Sequence, residues 1–299
     1  MTATAAPVVR LTVPLAGPVD VPASAEFLRR NGDDLLDRWD GDRLIRVLTV
    51  AGERIPVALR PIGDPVAPSL EVAVPPGPHR ADASAVRAAV AGMFVLPPPS
   101  WPALLARDPV LADLVGRVPA IRILTITDPM YALSRTISAQ QVHLRFATTI
   151  RGRLAELVGD RYEVDGVVVR AINTDRLAGT SVAALRALQL SGRKAAYLIG
   201  VAAALNDGRL AVAALAELDD AAVIAELTAL HGIGRWTAEW FLIRVLGRAA
   251  VPAGDVALRR AVGRLYGAGY PTEPAVRRLT EHWGDAAHVA QQVVLETCA

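Results

Sequence analysis

The sequence predicts an α+β chain, with a small antiparallel sheet domain over residues 1–98 and a mainly helical body over 99–299. Three observations carry that expectation. Before residue 75, short runs rich in Val, Ile and Leu are separated by Asp-Gly, Gly-Glu and Gly-Asp pairs. Two proline clusters, Pro75-Pro-Gly-Pro78 and Pro97-Pro-Pro99, then punctuate the chain. Beyond Trp101 the apolar residues recur at helical spacing almost throughout.

In order, residues 8–14 read as a strand and 23–30 as a helix capped by Ser24. Strands follow at 44–50, 55–60 and 70–74. Pro56 places the middle one at a sheet edge, because proline has no N–H to give to a ladder. Residues 81–94 form an amphipathic helix. Further helices are expected at 101–106, 109–115, 130–138, 140–158, 174–178, 181–188, 192–207, 210–216, 219–229, 235–246, 255–266, 272–282 and 284–297, divided by Gly, Pro and Asp.

Composition narrows the function classes. Hydrophobic residues make up 52% of the 299 and charged residues 21%, enough for a substantial core. The longest apolar stretches, such as 195–205, fall short of the roughly 18 residues of a membrane span. Ala23-Ser24-Ala25 resembles a signal-cleavage site, but Arg10, Asp20 and Pro7, Pro14, Pro18 and Pro22 interrupt the apolar segment it would need. The expectation is a soluble, intracellular monomer without a membrane partner. Cys298 is the sole cysteine, and the five histidines show no HxxH spacing, which argues against disulfides, iron–sulfur clusters and a dedicated metal enzyme. Lys194 is the sole lysine.

Net charge is only +2, yet its distribution is uneven. Thr228–Arg264 holds 6 Arg against 2 acidic residues. Such a cluster can steer phosphates to one face, although charge alone is equally consistent with a solvated surface.

Within that stretch, Gly232-Ile-Gly234 joins two expected helices. The spaced glycines allow a sharp turn, and its N–H groups with the positive end of the next helix suit an anion. A plain linker would have the same pattern. Trp236 and Trp240, at i and i+4, share one helix face, either as core or as walls for a flipped, cationic base. Val251-Pro-Ala-Gly-Asp255 delivers a carboxylate to a helix start, where it is at least an N-cap.

Gly232-Ile-Gly-Arg-Trp-Thr-Ala-Glu-Trp240 followed by Pro252-Ala-Gly-Asp255 resembles the helix-hairpin-helix and Gly/Pro-Asp signature of base-excision DNA glycosylases. The resemblance is greatest to the DNA-3-methyladenine glycosylase II (AlkA) type. Arg135-Thr-Ile-Ser-Ala-Gln-Gln-Val142 and Leu190-Ser-Gly-Arg-Lys-Ala-Ala-Tyr197, with Asn206-Asp-Gly208, are similar to further parts of that family. The similarity spans about Arg135 to Val262, and the N-terminal sheet fits the family's TBP-like leading domain.

The resemblance implies a monofunctional glycosylase acting on double-stranded DNA, in a cytoplasm of bacterial type. It flips alkylated purines into a cleft between two helical subdomains of residues 99–299. Asp255 takes the place of the essential acid. Trp236 stands where lyase members carry a nucleophilic lysine, so water is the expected nucleophile and no cofactor is required. Trp236 and Trp240 line the base pocket; Gly232, Ile233, Gly234, Arg235 and Thr237 hold a phosphate; Gln140 and Gln141 meet the minor groove. Backbone carbonyls of Thr228, Leu230 and Ile233 are placed for a structural monovalent cation. The C-terminal segment from Trp283 departs from the family, which implies a pocket more open on that side. Three other readings stay open: a same-superfamily enzyme for another lesion, a non-catalytic DNA-binding or damage-sensing protein, and a helical protein-interaction module.

Overall fold

A computed structural model describes residues 8–77, 82–118 and 120–296. Pro7, Pro78, Cys298 and the outer ends of the helices expected at 81–94 and 284–297 lie outside them.

Five strands, β1 (Val9–Pro14), β2 (Asp37–Trp39), β3 (Leu44–Val50), β4 (Glu53–Ile62) and β5 (Ser69–Val74), form an antiparallel sheet in the order β1-β5-β4-β3-β2. Side-chain alternation divides the sheet into two buried faces. Leu44, Leu48, Ile55, Val57, Leu59, Leu70 and Val72 enter the main core. Ile45, Ala58 and Ala73 face the other way and pack on Val164 and Val169.

Those two valines belong to a hairpin, β6 (Gly159–Val164) and β7 (Val167–Ile172), absent from the sequence expectation. Its turn residues Asp165 and Gly166 both have positive φ, 47° and 82°, as a two-residue hairpin turn of the right twist requires. Pro56 is also placed differently from expectation, because β4 is central. It sits opposite Val47, ahead of the Ala58–Ile62 stretch that pairs with β5, so its missing N–H faces no second strand.

The helices are α1 (Val21–Arg29), α2 (Ala83–Gly92), α3 (Trp101–Arg107), α4 (Pro109–Val115), α5 (Pro129–Ala139), α6 (Leu144–Val158), α7 (Thr174–Ala178), α8 (Val182–Ala187), α9 (Gly192–Asn206), α10 (Val212–Ala216), α11 (Asp220–Thr228), α12 (Arg235–Arg244), α13 (Val256–Leu265), α14 (Glu273–Thr280) and α15 (Ala287–Glu296). A 3-10 turn over Glu281–Ala286, broken at Gly284, joins the last two. Helix α1 starts earlier than expected. Asp20, not Ser24, is its cap, accepting the Ala23 amide at 2.9 Å. Pro22 presets the first turn, and the buried Ser24 hydroxyl instead ties to Asp20 O and Arg122 N. Residues 140–143, expected to open a helix, form the turn between α5 and α6, with Gln140 as the C-cap of one and His143 as the N-cap of the other.

Two clusters of buried side chains organise the body. The larger joins the inner sheet face to α5, α6, α9, α11 and α12. The smaller gathers Leu104, Leu111 and Leu114 with Leu258, Val262, Trp283 and Val294, from α3, α4, α13, the 3-10 turn and α15. Phe27 of α1 packs against both. A polar network pins the sheet to the helices. Asp34 accepts from Arg151 at 2.8 Å and Arg135 at 3.4 Å, while Asp37 pairs with Arg46 at 2.9 Å and accepts the Tyr131 hydroxyl at 2.7 Å. Among the described residues no helix is long and apolar enough to cross a membrane.

Candidate active site

The α11–α12 connection is a tight hairpin. Gly232 has φ +90°, and a Cβ there would stand 2.1 Å from the Tyr197 ring, so both backbone angle and contact demand glycine. Ile233 is buried, anchoring the tip, while Gly234 is exposed at the start of α12. That helix begins without a side-chain cap, which leaves its first-turn amides for an external acceptor. Arg235 is exposed and paired with Glu239 at 2.9 Å, and Arg277 of α14 reaches the same carboxylate at 2.7 Å. Burial pushes the Glu239 carboxyl above its ordinary range, against both arginines. The Thr237 side chain is buried and lines a partly open cavity, so a phosphate contact there would fall to its backbone.

Helix α12 carries Trp236, Trp240 and Arg244 along one side at four-residue spacing, and all three line that cavity of about 150 Å³. The volume suits a single aromatic ring. The Val251–Asp255 loop brings Asp255 to the same cavity. Its Oδ1 accepts the Ala257 and Leu258 amides at 2.8 and 3.0 Å, capping α13. Its Oδ2 accepts the Trp236 indole N–H at 2.9 Å. One oxygen is thus spent on the helix, and the other is held at the cavity by a neutral donor that fixes its direction.

The rest of the wall comes from residues that were not among the expected site residues. Phe27 and Arg30 come from α1 and its C-cap, Arg135 from α5, Arg151 from α6 and Leu295 from α15. Leu295 stands on the side where the divergent C-terminal segment suggested an opening. Phe27 and Trp240 lie with ring centres 6.2 Å apart. Arg244 places its guanidinium carbon 4.3 Å from the first ring centre and 5.5 Å from the second, and Arg30 lies 4.6 Å from Phe27. Cations therefore already lie against Phe27 and Trp240, whereas the expectation named Trp236 and Trp240 as the walls of the base pocket. Burial, helped by the charges of Arg135 and Arg30 and opposed by Glu296, pushes the Arg244 pKa down to about 9. It remains protonated at neutral pH.

Gln140 and Gln141 part company. The Gln140 amide donates to the Gly232 carbonyl at 3.0 Å, bracing the hairpin, whereas Gln141 is exposed with φ +54°. Lys194 is not among the cavity-lining residues; its ammonium donates to the Ser138 carbonyl at 2.9 Å, and burial lowers its pKa. Among the described residues, no hydrogen-bond donor is seen on the carbonyls of Thr228 and Ile233, while that of Leu230 accepts the Ile233 amide.

An uncapped hairpin helix beside a ring-sized cavity, with a fixed carboxylate at its edge, defines a class: helix-hairpin-helix proteins of base-excision repair. A family profile described as HhH-GPD superfamily base excision DNA repair protein matches residues 134–285. The chain belongs to that family.

It is 27% identical over 179 residues to a DNA-3-methyladenine glycosylase of Bacillus subtilis, covering 59% of each chain. The chain thus spans under two thirds of that relative's length. A 3-methyladenine DNA-glycosylase of Archaeoglobus fulgidus superposes with a TM-score of 0.82 at 21% identity, covering 96% of this chain and 98% of that one. An 8-oxoguanine glycosylase/lyase of Clostridium acetobutylicum shares the fold at a TM-score of 0.75 and 18% identity, covering 98% and 97%.

Proposed function

We propose that this chain is a monofunctional DNA glycosylase that removes alkylated purines such as 3-methyladenine from double-stranded DNA. The observation that carries the reading is the Asp255 carboxylate, held at the edge of a ring-sized cavity by Trp236. The base would flip into the cavity while hairpin amides hold the backbone phosphate, braced by a monovalent cation on the carbonyls of Thr228, Leu230 and Ile233. As the glycosidic bond breaks, positive charge develops on the sugar, and Asp255 stabilises it and orients the incoming water. A base with a fixed positive charge leaves as a neutral molecule and needs little further help.

Water is the nucleophile in this reading because Trp236 offers no amine and the Lys194 amine is engaged away from the cavity. Residues 1–98 form the leading domain, and residues 99–299 the glycosylase region, whose cleft runs between the two helical clusters. Gln141 is the residue nearest in character to a groove-probing tip. The names of the relatives support an alkylated substrate, and a cytoplasmic site of action follows from that role.

The test is a panel of duplexes carrying 3-methyladenine, 7-methylguanine or 8-oxoguanine, incubated with wild type and Asp255→Asn. The expected result is abasic product from the alkylated duplexes with wild type alone, with DNA binding retained in the variant. Borohydride should trap no protein–DNA adduct. Activity in Asp255→Asn, or a trapped adduct, overturns the mechanism; binding without excision favours a damage sensor.

A further inference from the structure

Four arginines are buried among the described residues, and three of them have partners. Arg46 pairs with Asp37, Arg151 pairs with Asp34, and Arg244 donates to the Gln292 amide oxygen at 2.7 Å. Arg122, 5% exposed, is the exception. Its Nε is buried without an acceptor, and burial lowers its pKa with no opposite charge to offset the effect. A guanidinium kept from water costs free energy until something pairs with it. Arg122 borders a partly open cavity of about 380 Å³ that shares no lining residue with the Asp255 cavity.

The floor of this second cavity is a short backbone pairing. The Val95 amide donates to the Ile123 carbonyl at 3.0 Å and the Thr125 amide to the Met93 carbonyl at 2.9 Å, which sets Arg122 beside Phe94, Val95 and Leu96. Two helices run out against the remaining sides, α2 at Ala91 and Gly92 and α12 at Val245, Leu246 and Gly247. In the loop from β1 to α1, Gly17 has φ +62°, and a Cβ there would stand 3.0 Å from a terminal nitrogen of Arg122. The loop thus comes close to the guanidinium and offers it no acceptor.

We propose that this cavity binds a small monocarboxylate, with its carboxylate on Arg122 and its apolar tail against Phe94, Leu96 and Leu246. The planar fork of a guanidinium matches a carboxylate in two parallel hydrogen bonds. One cation offsets one negative charge, and the C-terminal ends of α2 and α12 oppose a second, which disfavours a phosphate dianion. The apolar side chains favour a hydrocarbon tail, and the volume holds several heavy atoms. The inference does not depend on the glycosylase reading.

The test is thermal denaturation of the full chain, with sodium butyrate replacing sodium chloride at constant ionic strength and inorganic phosphate in a parallel series. Butyrate should raise the wild-type Tm saturably, with a midpoint on the order of 1 mM. Arg122→Met keeps an apolar stem and removes the charge. It should raise that midpoint at least about 10-fold, leave any phosphate response unchanged and, without butyrate, melt no lower than wild type, as a charge without a partner in the fold requires. Arg122→Lys should keep part of the butyrate response through a single contact. No saturable response in wild type, or the same response in Arg122→Met, overturns the site. A phosphate response that disappears in Arg122→Met overturns the carboxylate class. Arg122→Met that unfolds, or melts well below wild type, overturns the proposal too, because the guanidinium is then satisfied within the fold.

Discussion

Asp255 and Trp236 meet through one hydrogen bond, and the two carboxylate oxygens do separate work. Oδ1 caps α13, a contribution of about 1 kcal/mol, so Asp255→Asn preserves an acceptor for the cap while removing charge. Trp236→Phe removes the donor to Oδ2 but retains an aromatic wall. It should lower kcat about 10- to 100-fold with KM nearly unchanged, since a hydrogen bond to a charged group contributes about 1.5–3 kcal/mol. An equal loss in kcat and in affinity for undamaged DNA would instead mean that Trp236 acts as packing. Asp255 was legible from the Gly-Asp loop before a helix, but its bond to Trp236 was not, because contacts between side chains 19 residues apart depend on the loop's path. Arg244 was within reach of a sequence argument, standing four residues past Trp240 on the same face. Nothing in the aromatic spacing itself marks the next turn of the helix as part of the site.

At the scale of the element, the hairpin is fixed by one glycine. Gly232→Ala forces a side chain into positive φ and onto the Tyr197 ring. Strain and overpacking together should cost on the order of 3 kcal/mol, read as a lower denaturation midpoint. A variant as stable as wild type would show that the hairpin can shift. Helix positions were legible because capping residues and apolar spacing are local signals; 109–115 and 174–178 fall where expected. The β6–β7 hairpin was not, although Asp165-Gly166 between valine-rich runs is a local hairpin signal. It stood in a stretch where the surrounding periodicity was helical. The turn at 140–143 contains neither Gly nor Pro, and Gln141 adopts its left-handed angle with no marker in the sequence.

Across the whole molecule, the sheet is joined to the helical body through the shared apolar core and a few buried charges. Asp34→Asn would leave Arg135 and Arg151 without their shared carboxylate. Loss of a buried partner of this kind costs about 3–5 kcal/mol. Thermal unfolding should shift well below wild type and remain one transition, because the main core runs through both parts. Two separate transitions would show that sheet and body fold independently. The residues that close the cavity, from Phe27 to Leu295, span almost the full sequence, which is why local signals located its floor and not its walls. The Gln140–Gly232 bond has a mechanical consequence of its own. It ties the exposed Gln141 turn to the hairpin proposed to hold a phosphate, which would give the protein a gauge of fixed span. On the proposed reading, a duplex resting on both turns would bend to the gauge, and the cost of distortion would fall on the DNA. Sites with weakened stacking, as at a damaged pair, would yield first, and recognition would begin in the stiffness of the helix before any base is touched.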